Sequence, residues 1–288
     1  MPELPEVETM CRGIRSIVGT TIVAVEQPPC PCRPCVIEPT VRQLHDQMAG
    51  RSVEAVERRG KRVMLRFDDE SRLVIEPRMS GLVLLADPPS TEHLRLRIRF
   101  RQGVRGDEQE LLVWDRRGLG TIRLLTDEQF RTTVDVRLGE DALTINADSL
   151  REQLKHSSRA IKVALLDQSV VAGIGNLYAA EILFVAGIDP RTRCDRITRP
   201  QWARLHAGIS IVLDEAITNE GSTLSDGTYR NALNDPGGYQ SMHRVYDRKD
   251  KPCQRCETGK IQRIVQAQRS TFYCNTCQKR SGKHASVV

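Results

Sequence analysis

The sequence predicts an α+β chain of several domains: a β-sandwich behind a leading helix, then a helical module, then a C-terminal β-hairpin held by metal. Three observations predict it. Short β-type runs separated by turn residues fill the stretch from Thr21 to Leu125. After Leu143 the apolar residues recur at helical spacing, and near the end two C-x2-C pairs stand 17 residues apart. Domains are therefore expected at residues 1–135, 136–243 and 244–288 of the 288.

Val7, Met10, Cys11, Ile14, Ile17 and Val18 form one apolar stripe, so the chain opens on a helix ending near Gly19. Pro5 suits a first helical turn, and Glu6 and Glu8 complement the positive end of the helix dipole. Strands are expected at Thr21–Val25, Ser52–Val56, Arg62–Phe67, Leu73–Ile75, Gly81–Leu85, Leu94–Phe100, Leu111–Trp114 and Thr121–Leu125. The strict alternation of Leu94 to Phe100 marks one buried and one solvated face, and strands at this spacing imply a sandwich or barrel. Helices follow at Leu150–His156 and Ala160–Gln168. Val171 to Asn176 then breaks the period with two glycines, and Leu177–Ala186 resumes it. A last stripe runs from Trp202 to Ile217, with Thr198 as cap and Gly221 as stop. The stretch from Gly221 to Tyr239, rich in Gly, Ser, Asn and Asp, is too long for a simple connector and reads as either disordered or a functional lid.

Cys253, Cys256, Cys274 and Cys277 have the spacing of a zinc ribbon, and four thiolates suit one tetrahedral Zn2+. Metal lets so polar a segment fold with little core. Cys30, Cys32 and Cys35 are harder to place. With Cys11 they would make a second thiolate site; alternatively, Cys11 is a small buried hydrophobe on its helix. Both readings stay open.

Net charge is +6, and from Arg244 onward eleven Lys/Arg face three Asp/Glu, a local +8 that leaves −2 elsewhere. Cationic charge concentrated at one end favours a polyanionic partner such as nucleic acid. No secretory apolar region and no run of about 20 apolar residues is present, so a cytosolic chain without a membrane partner is expected. Nine cysteines with four in a metal pattern agree with a reducing compartment.

Pro2 is small enough for the initiator methionine to be trimmed, which leaves a secondary amine. Such an amine, with a reference pKa of about 8, is partly neutral at physiological pH and attacks carbonyl-like carbon to give an imine. Glu3 puts a carboxylate beside it. Taken alone, the stretch reads as a helix entrance rather than a nucleophile.

Pro2-Glu3-Leu4-Pro5-Glu6-Val7-Glu8-Thr9, the Arg59-Gly60-Lys61-Arg62 turn, Leu166-Asp167-Gln168 with Ala172-Gly173-Ile174-Gly175-Asn176-Leu177-Tyr178, and the cysteine pairs with Arg269-Ser270-Thr271-Phe272-Tyr273 occur in the order seen in one family. The chain resembles bacterial formamidopyrimidine-DNA glycosylases over nearly its whole length. The resemblance implies an N-terminal β-sandwich, a helix-two-turn-helix module and a zinc finger, with double-stranded DNA as partner. It implies a monomer, in the bacterial cytosol with the nucleoid. The implied activity is excision of 8-oxoguanine and formamidopyrimidines, followed by β,δ-elimination at the abasic site.

By the same resemblance Pro2 is the nucleophile, Glu3 a proton donor, and Lys61 and Arg269 assist the eliminations. Asn176 holds a phosphate, with Arg159 and Lys162 as further phosphate contacts, and His93 lies near a family histidine that touches DNA. Met79 and Leu119 match residues inserted into the duplex, and residues 222–239 occupy the place of a lid over the everted base. Two stretches depart from the family pattern. Glu76-Pro77-Arg78 replaces His-Leu-Gly before Met79, and Asp115-Arg116-Arg117-Gly118-Leu119-Gly120 replaces Asp-Pro-Arg-Arg-Phe-Gly. Gly118 stands where an arginine would read the orphaned cytosine, so weakened choice between C and A opposite the lesion is expected unless Arg117 or Arg116 takes over. Two other readings are a relative of endonuclease VIII acting on oxidised pyrimidines, and a DNA-binding protein without catalysis.

Overall fold

A computed structural model describes residues 2–103 and 106–280. The chain divides into two compact units, one made of the residues up to Val136 with Ala216–Gln240, the other of Arg137–Glu215 with the residues from Ser241.

The first unit opens with helix α1 (Leu4–Gly13). It continues through β1 (Thr21–Glu26), β2 (Val36–Glu38), α2 (Val41–Met48), β3 (Val53–Arg59), β4 (Arg62–Phe67) and β5 (Arg72–Glu76). β6 (Gly81–Leu84), β7 (Leu94–Arg101), β8 (Glu108–Asp115), β9 (Thr121–Leu125) and α3 (Asp127–Thr133) complete it. One sheet has the order β1-β7-β8-β6 and the other β2-β9-β5-β4-β3. Their inner faces share a single core. Ile22, Leu82, Leu96, Ile98, Phe100 and Leu111 from one sheet meet Val63, Leu65, Leu73, Ile75 and Ile122 from the other, with Val7, Met10 and Ile14 of α1 among them. This is the β-sandwich with its leading helix.

The eight expected strands all form, some a residue or more longer than their apolar centres. Alternation along β7 fails at one position. The pairing with β8 slips between Leu94 and Leu96, and Arg95 turns inward to 2% exposure. Helix α1 stops at Gly13 rather than near Gly19; a short 3-10 turn at Arg15–Ile17 carries the apolar stripe on, with Ile14 and Ile17 buried. The Gly221–Tyr239 stretch is ordered. Asn231 Oδ1 accepts from the Leu233 and Asp235 amides, and the Ala232 carbonyl accepts from Leu85 N–H at 2.9 Å.

In the second unit, β10 (Glu140–Asp141) pairs in parallel with β11 (Val171–Ala172), around α4 (Ala147–Leu154) and α5 (Ile161–Leu165). Then follow α6 (Asn176–Ala186), α7 (Arg199–Thr218, whose last turn crosses into the first unit) and the hairpin β12 (Ile261–Gln266)–β13 (Arg269–Cys274). Helix α6 is apolar almost all round and is buried accordingly. Its Ala180 and Phe184 join Val245, Ile261, Phe272 and two cysteines in a small core beneath the hairpin. Among the described residues no helix is long and apolar enough to cross a membrane.

Glu181, on α6, is fully buried and accepts the amide N–H groups of Arg244, Val245 and Tyr246 at 2.8–2.9 Å. Burial pushes its carboxyl above the ordinary carboxylate range, opposed by those three donors. The carboxylate thus fixes where the chain enters the metal hairpin. Glu181→Ala leaves three buried donors without an acceptor and is expected to cost about 3 kcal/mol or more in urea unfolding, with Glu181→Gln intermediate.

Candidate active site

The first turn of α1 is held by an acidic pair. Glu3 caps the helix, and its N–H donates to Glu6 Oε2 at 2.8 Å. Glu6 Oε1 accepts the Ser222 N–H, also at 2.8 Å. Pro2, Glu3 and Glu6 are all buried. Gly221, at φ +76°, precedes this contact, and a Cβ there would lie 2.8 Å from Glu6 Oε1, so only glycine lets the loop approach so closely. Tyr229 closes the same corner, donating to the Glu220 carbonyl at 3.0 Å. Burial, with the charge of Glu6, raises its hydroxyl well above the usual phenol range, so it remains a neutral donor.

Lys61 sits at the tip of the β3–β4 hairpin, in a two-residue turn whose Gly60 has φ +57°. Arg58 fixes that tip. Its Nη1 donates to the Gly60 carbonyl at 3.0 Å and its Nε to Glu8 Oε2 at 2.9 Å. Glu8 also takes Arg12 at 2.8 Å. Burial pushes the Glu8 carboxyl up, but the two guanidiniums outweigh it and hold the group below its ordinary range. The lysine hairpin is thereby braced on the helix that Glu3 caps.

Met79 is 38% exposed in the turn before β6. The buried Asp115 ties this turn to the next. Its Oδ1 accepts from Ser80 Oγ at 2.6 Å and Arg117 N–H at 3.1 Å, and its Oδ2 accepts Gly120 N–H at 2.8 Å. Leu119 is half-buried and Arg117 exposed. Gly118 has φ +59°, and a Cβ on it would lie 2.3 Å from the Arg33 carbonyl oxygen. His93 faces inward: its Nδ1 is 3.3 Å from Cys32 Sγ, its Nε2 3.3 Å from Glu92, and its ring meets Trp114 edge-on.

The second thiolate site does not assemble. Cys11 is buried on α1 with its thiol on the Glu57 carbonyl at 3.4 Å, and Cys30 is engaged by Arg95 and by the Glu92 carbonyl. A guanidinium 2.8 Å from Cys30 Sγ opposes a metal cation there. Among the described residues only Cys253, Cys256, Cys274 and Cys277 bring their ligand atoms together.

These four do fit zinc. Cys253 and Cys277 sulfurs are 3.7 Å apart and those of Cys256 and Cys274 3.8 Å. A tetrahedron with Zn–S bonds of about 2.3 Å requires roughly 3.8 Å between sulfurs. One structural zinc belongs here. The hairpin it anchors turns through Ala267 and Gln268, both at positive φ, and delivers the exposed Arg269 next to the turn. Two non-glycine residues in this conformation cost on the order of 1 kcal/mol each. That cost is borne where a cation is presented.

Lys162, expected to touch phosphate, is instead fully buried. Its Nζ donates to Asn176 Oδ1 at 2.6 Å, Thr271 Oγ1 at 2.7 Å and the Ser270 carbonyl at 3.1 Å. Its ammonium is thus engaged by Asn176, Thr271 and the β13 backbone. Asn176 itself opens α6 behind Gly175 and donates to the same Ser270 carbonyl at 3.0 Å. Arg159 is partly exposed and pairs with Asp167 at 2.7 Å.

Glu6, Asp115 and Glu181 were not singled out from sequence as organisers. For Glu6 a signal existed, since acidic residues three apart at a helix entrance are a capping pattern. For the other two, partners distant in sequence supply the meaning.

The description "Formamidopyrimidine-DNA glycosylase N-terminal domain" matches residues 1–122, its helix-two-turn-helix counterpart matches 138–228, and the zinc finger shared with isoleucyl-tRNA synthetases matches 250–280. A formamidopyrimidine-DNA glycosylase of Chloroflexus aggregans is 40% identical over 96% of this chain and 98% of its own length. One from Bacillus licheniformis is 37% identical over 97% and 100%. Among solved structures, MutM bound to DNA containing carbocyclic 8-oxoguanine superposes with a TM-score of 0.83 at 31% identity. The Lactococcus lactis Fpg protein on abasic-site DNA gives 0.84, also at 31%. Each match covers 97% of this chain and 100% of the other.

Elemental analysis is expected to find one zinc per chain and none in Cys274→Ser. Residual stoichiometric metal in that variant would restore a second site.

Proposed function

The chain belongs to the formamidopyrimidine-DNA glycosylase family, and from that premise we propose which of its residues carry out excision of oxidised purines and cleavage of the resulting abasic site. With Met1 removed, the Pro2 nitrogen attacks the deoxyribose C1′ of the damaged nucleotide. The C1′–N bond breaks, the base leaves with a proton, and the sugar ring opens to a cationic imine. A secondary amine can only give the charged iminium, which withdraws electrons from C2′ and acidifies its proton. Loss of that proton expels the 3′ phosphate, and a second elimination expels the 5′ phosphate.

The observation that carries this reading is the buried Glu3–Glu6 pair at the N-terminus of α1. Glu3 follows the nucleophile directly, and Glu6 holds its backbone, so a proton donor is fixed beside the reacting nitrogen. Lys61, on a hairpin braced against the same helix, is the cation for the leaving groups of the first elimination. Arg269 grips phosphates from the zinc hairpin, where a planar guanidinium can engage two oxygens at once. Asn176 and Arg159 add contacts to the backbone, while Met79 and Leu119 fill the space left by the everted base and offset its unstacking. Double-stranded DNA is the partner, engaged by a monomer in the bacterial cytosol.

On duplex DNA containing 8-oxoguanine, incision products are expected to carry phosphate at both ends of the gap. Glu3→Gln is expected to lower excision by about 10²–10⁴-fold while duplex binding is retained. Release of oxidised pyrimidines with 8-oxoguanine left in place would contradict the reading.

A further inference from the structure

The segment from Cys30 to Cys35 has no part in the chemistry above, yet two of its sulfurs are held against the start of β7. Cys30 Sγ donates to the Glu92 carbonyl at 2.9 Å and accepts from Arg95 Nη1 at 2.8 Å. Cys32 Sγ lies 3.3 Å from His93 Nδ1 and within hydrogen-bonding reach of the Cys30 sulfur. Glu92 Oε1 stands 3.3 Å from the other ring nitrogen, His93 Nε2. Donation from Nε2 to this carboxylate leaves Nδ1 as an acceptor for the Cys32 thiol. Both cysteines are half-buried, open enough for a small solute to reach them.

The other cysteines outside the zinc hairpin are unlike this pair. Burial pushes the thiols of Cys11, Cys35 and Cys194 up, to about 12, 11 and 11, so they stay protonated and unreactive at neutral pH. Burial, and then the charge of Cys30, also push the Cys32 thiol up, which leaves Cys30 to react first. The Arg95 guanidinium puts a fixed positive charge on the Cys30 sulfur, where a sulfur nucleophile carries its negative charge. Bridging range is set by the sequence itself. Cα atoms two residues apart are separated by at most about 7 Å, close to the roughly 4.4–6.8 Å that a disulfide takes.

We propose that Cys30 and Cys32 form a peroxide-oxidisable dithiol, with Cys30 as the attacking sulfur and Cys32 as its resolving partner. The Cys30 sulfur attacks one oxygen of a hydroperoxide. The S–O bond forms as the O–O bond breaks, and the second oxygen leaves as water or an alcohol with the Cys30 proton. The Cys32 sulfur then attacks the sulfenic sulfur. An S–S bond forms, the S–O bond breaks, and hydroxide leaves as water with the Cys32 proton, which passes through His93 Nδ1. The two thiols lose two electrons, and the peroxide gains them. A dithiol reductant reverses the bridge. Closing it removes the S–H from the Glu92 carbonyl and changes the sulfur that Arg95 holds. The same guanidinium donates twice to the Asp115 carbonyl, at 2.9 and 2.7 Å.

The zinc-loaded full chain is exposed to hydrogen peroxide at a dose that converts free cysteine to cystine, and the remaining thiols are blocked with iodoacetamide. The tryptic peptide holding Cys30, Cys32 and Cys35 is then weighed and fragmented. The wild type is expected to give a peptide whose one block is on Cys35 and whose other two cysteines have together lost two hydrogens. Dithiothreitol is expected to restore both as blockable thiols. Cys32→Ser is expected to stop at a sulfenic acid on Cys30, captured by dimedone, and Cys30→Ser to leave Cys32 blockable. A wild-type peptide blocked at all three cysteines overturns the proposal, as does a bridge from Cys30 or Cys32 to Cys35 or to a hairpin cysteine. Dimedone captured on Cys32 in Cys30→Ser as readily as on Cys30 in Cys32→Ser also overturns it, because the two sulfurs would then have no separate roles.

Discussion

The geometry of the N-terminal end depends on one buried carboxylate. Glu6 accepts N–H groups from Glu3, three residues before it, and from Ser222, more than two hundred residues after it. A buried carboxylate is stable only when its oxygens are satisfied, and both of these acceptors are used. The consequence is that the first residues of the chain, which in most proteins fray, are fixed against a loop from the far end of the same unit. A terminal amine can act as a positioned nucleophile only under such a constraint, because effective concentration is lost when the terminus wanders.

The second unit solves the complementary problem with the same physics. Lys162 brings a buried cation to Asn176 and to the β13 backbone, and Glu181 brings a buried anion to the chain entering the finger. Together with zinc they fix a polar hairpin that has only a small apolar core. Each buried charge is surrounded by hydrogen-bonding groups rather than by an opposite charge alone, which limits the desolvation penalty. Arg269 is exposed at the end of this framework, beside the turn.

Much of this was legible in the sequence, because the periodic and the spaced features are local. The alternation from Leu94 to Phe100, the apolar stripe of α7 and the paired cysteines each declare themselves within a few tens of residues. Less legible were β2, α2 and α3. The strand is three residues long beside a proline-rich run, and α2 and α3 bury only Leu44 with Met48 and only Phe130, respectively, too few to set a period. Lys162 enters the phosphate contacts only through the family resemblance; its burial follows from Asn176 and Thr271, which no local pattern associates with it. The surroundings of Gly118 are not local either, since the backbone carbonyl it approaches belongs to Arg33, 85 positions earlier.

The central claim is that catalysis starts at the Pro2 nitrogen, and if Met1 stayed attached that nitrogen would be an amide without nucleophilic character. Peptide mapping by mass spectrometry of the borohydride-reduced adduct with 8-oxoguanine DNA tests this most directly. The account predicts a chain lacking Met1, with the deoxyribose remnant on the nitrogen of Pro2. An adduct on Lys61 or another lysine, or an active chain that retains Met1, would contradict it.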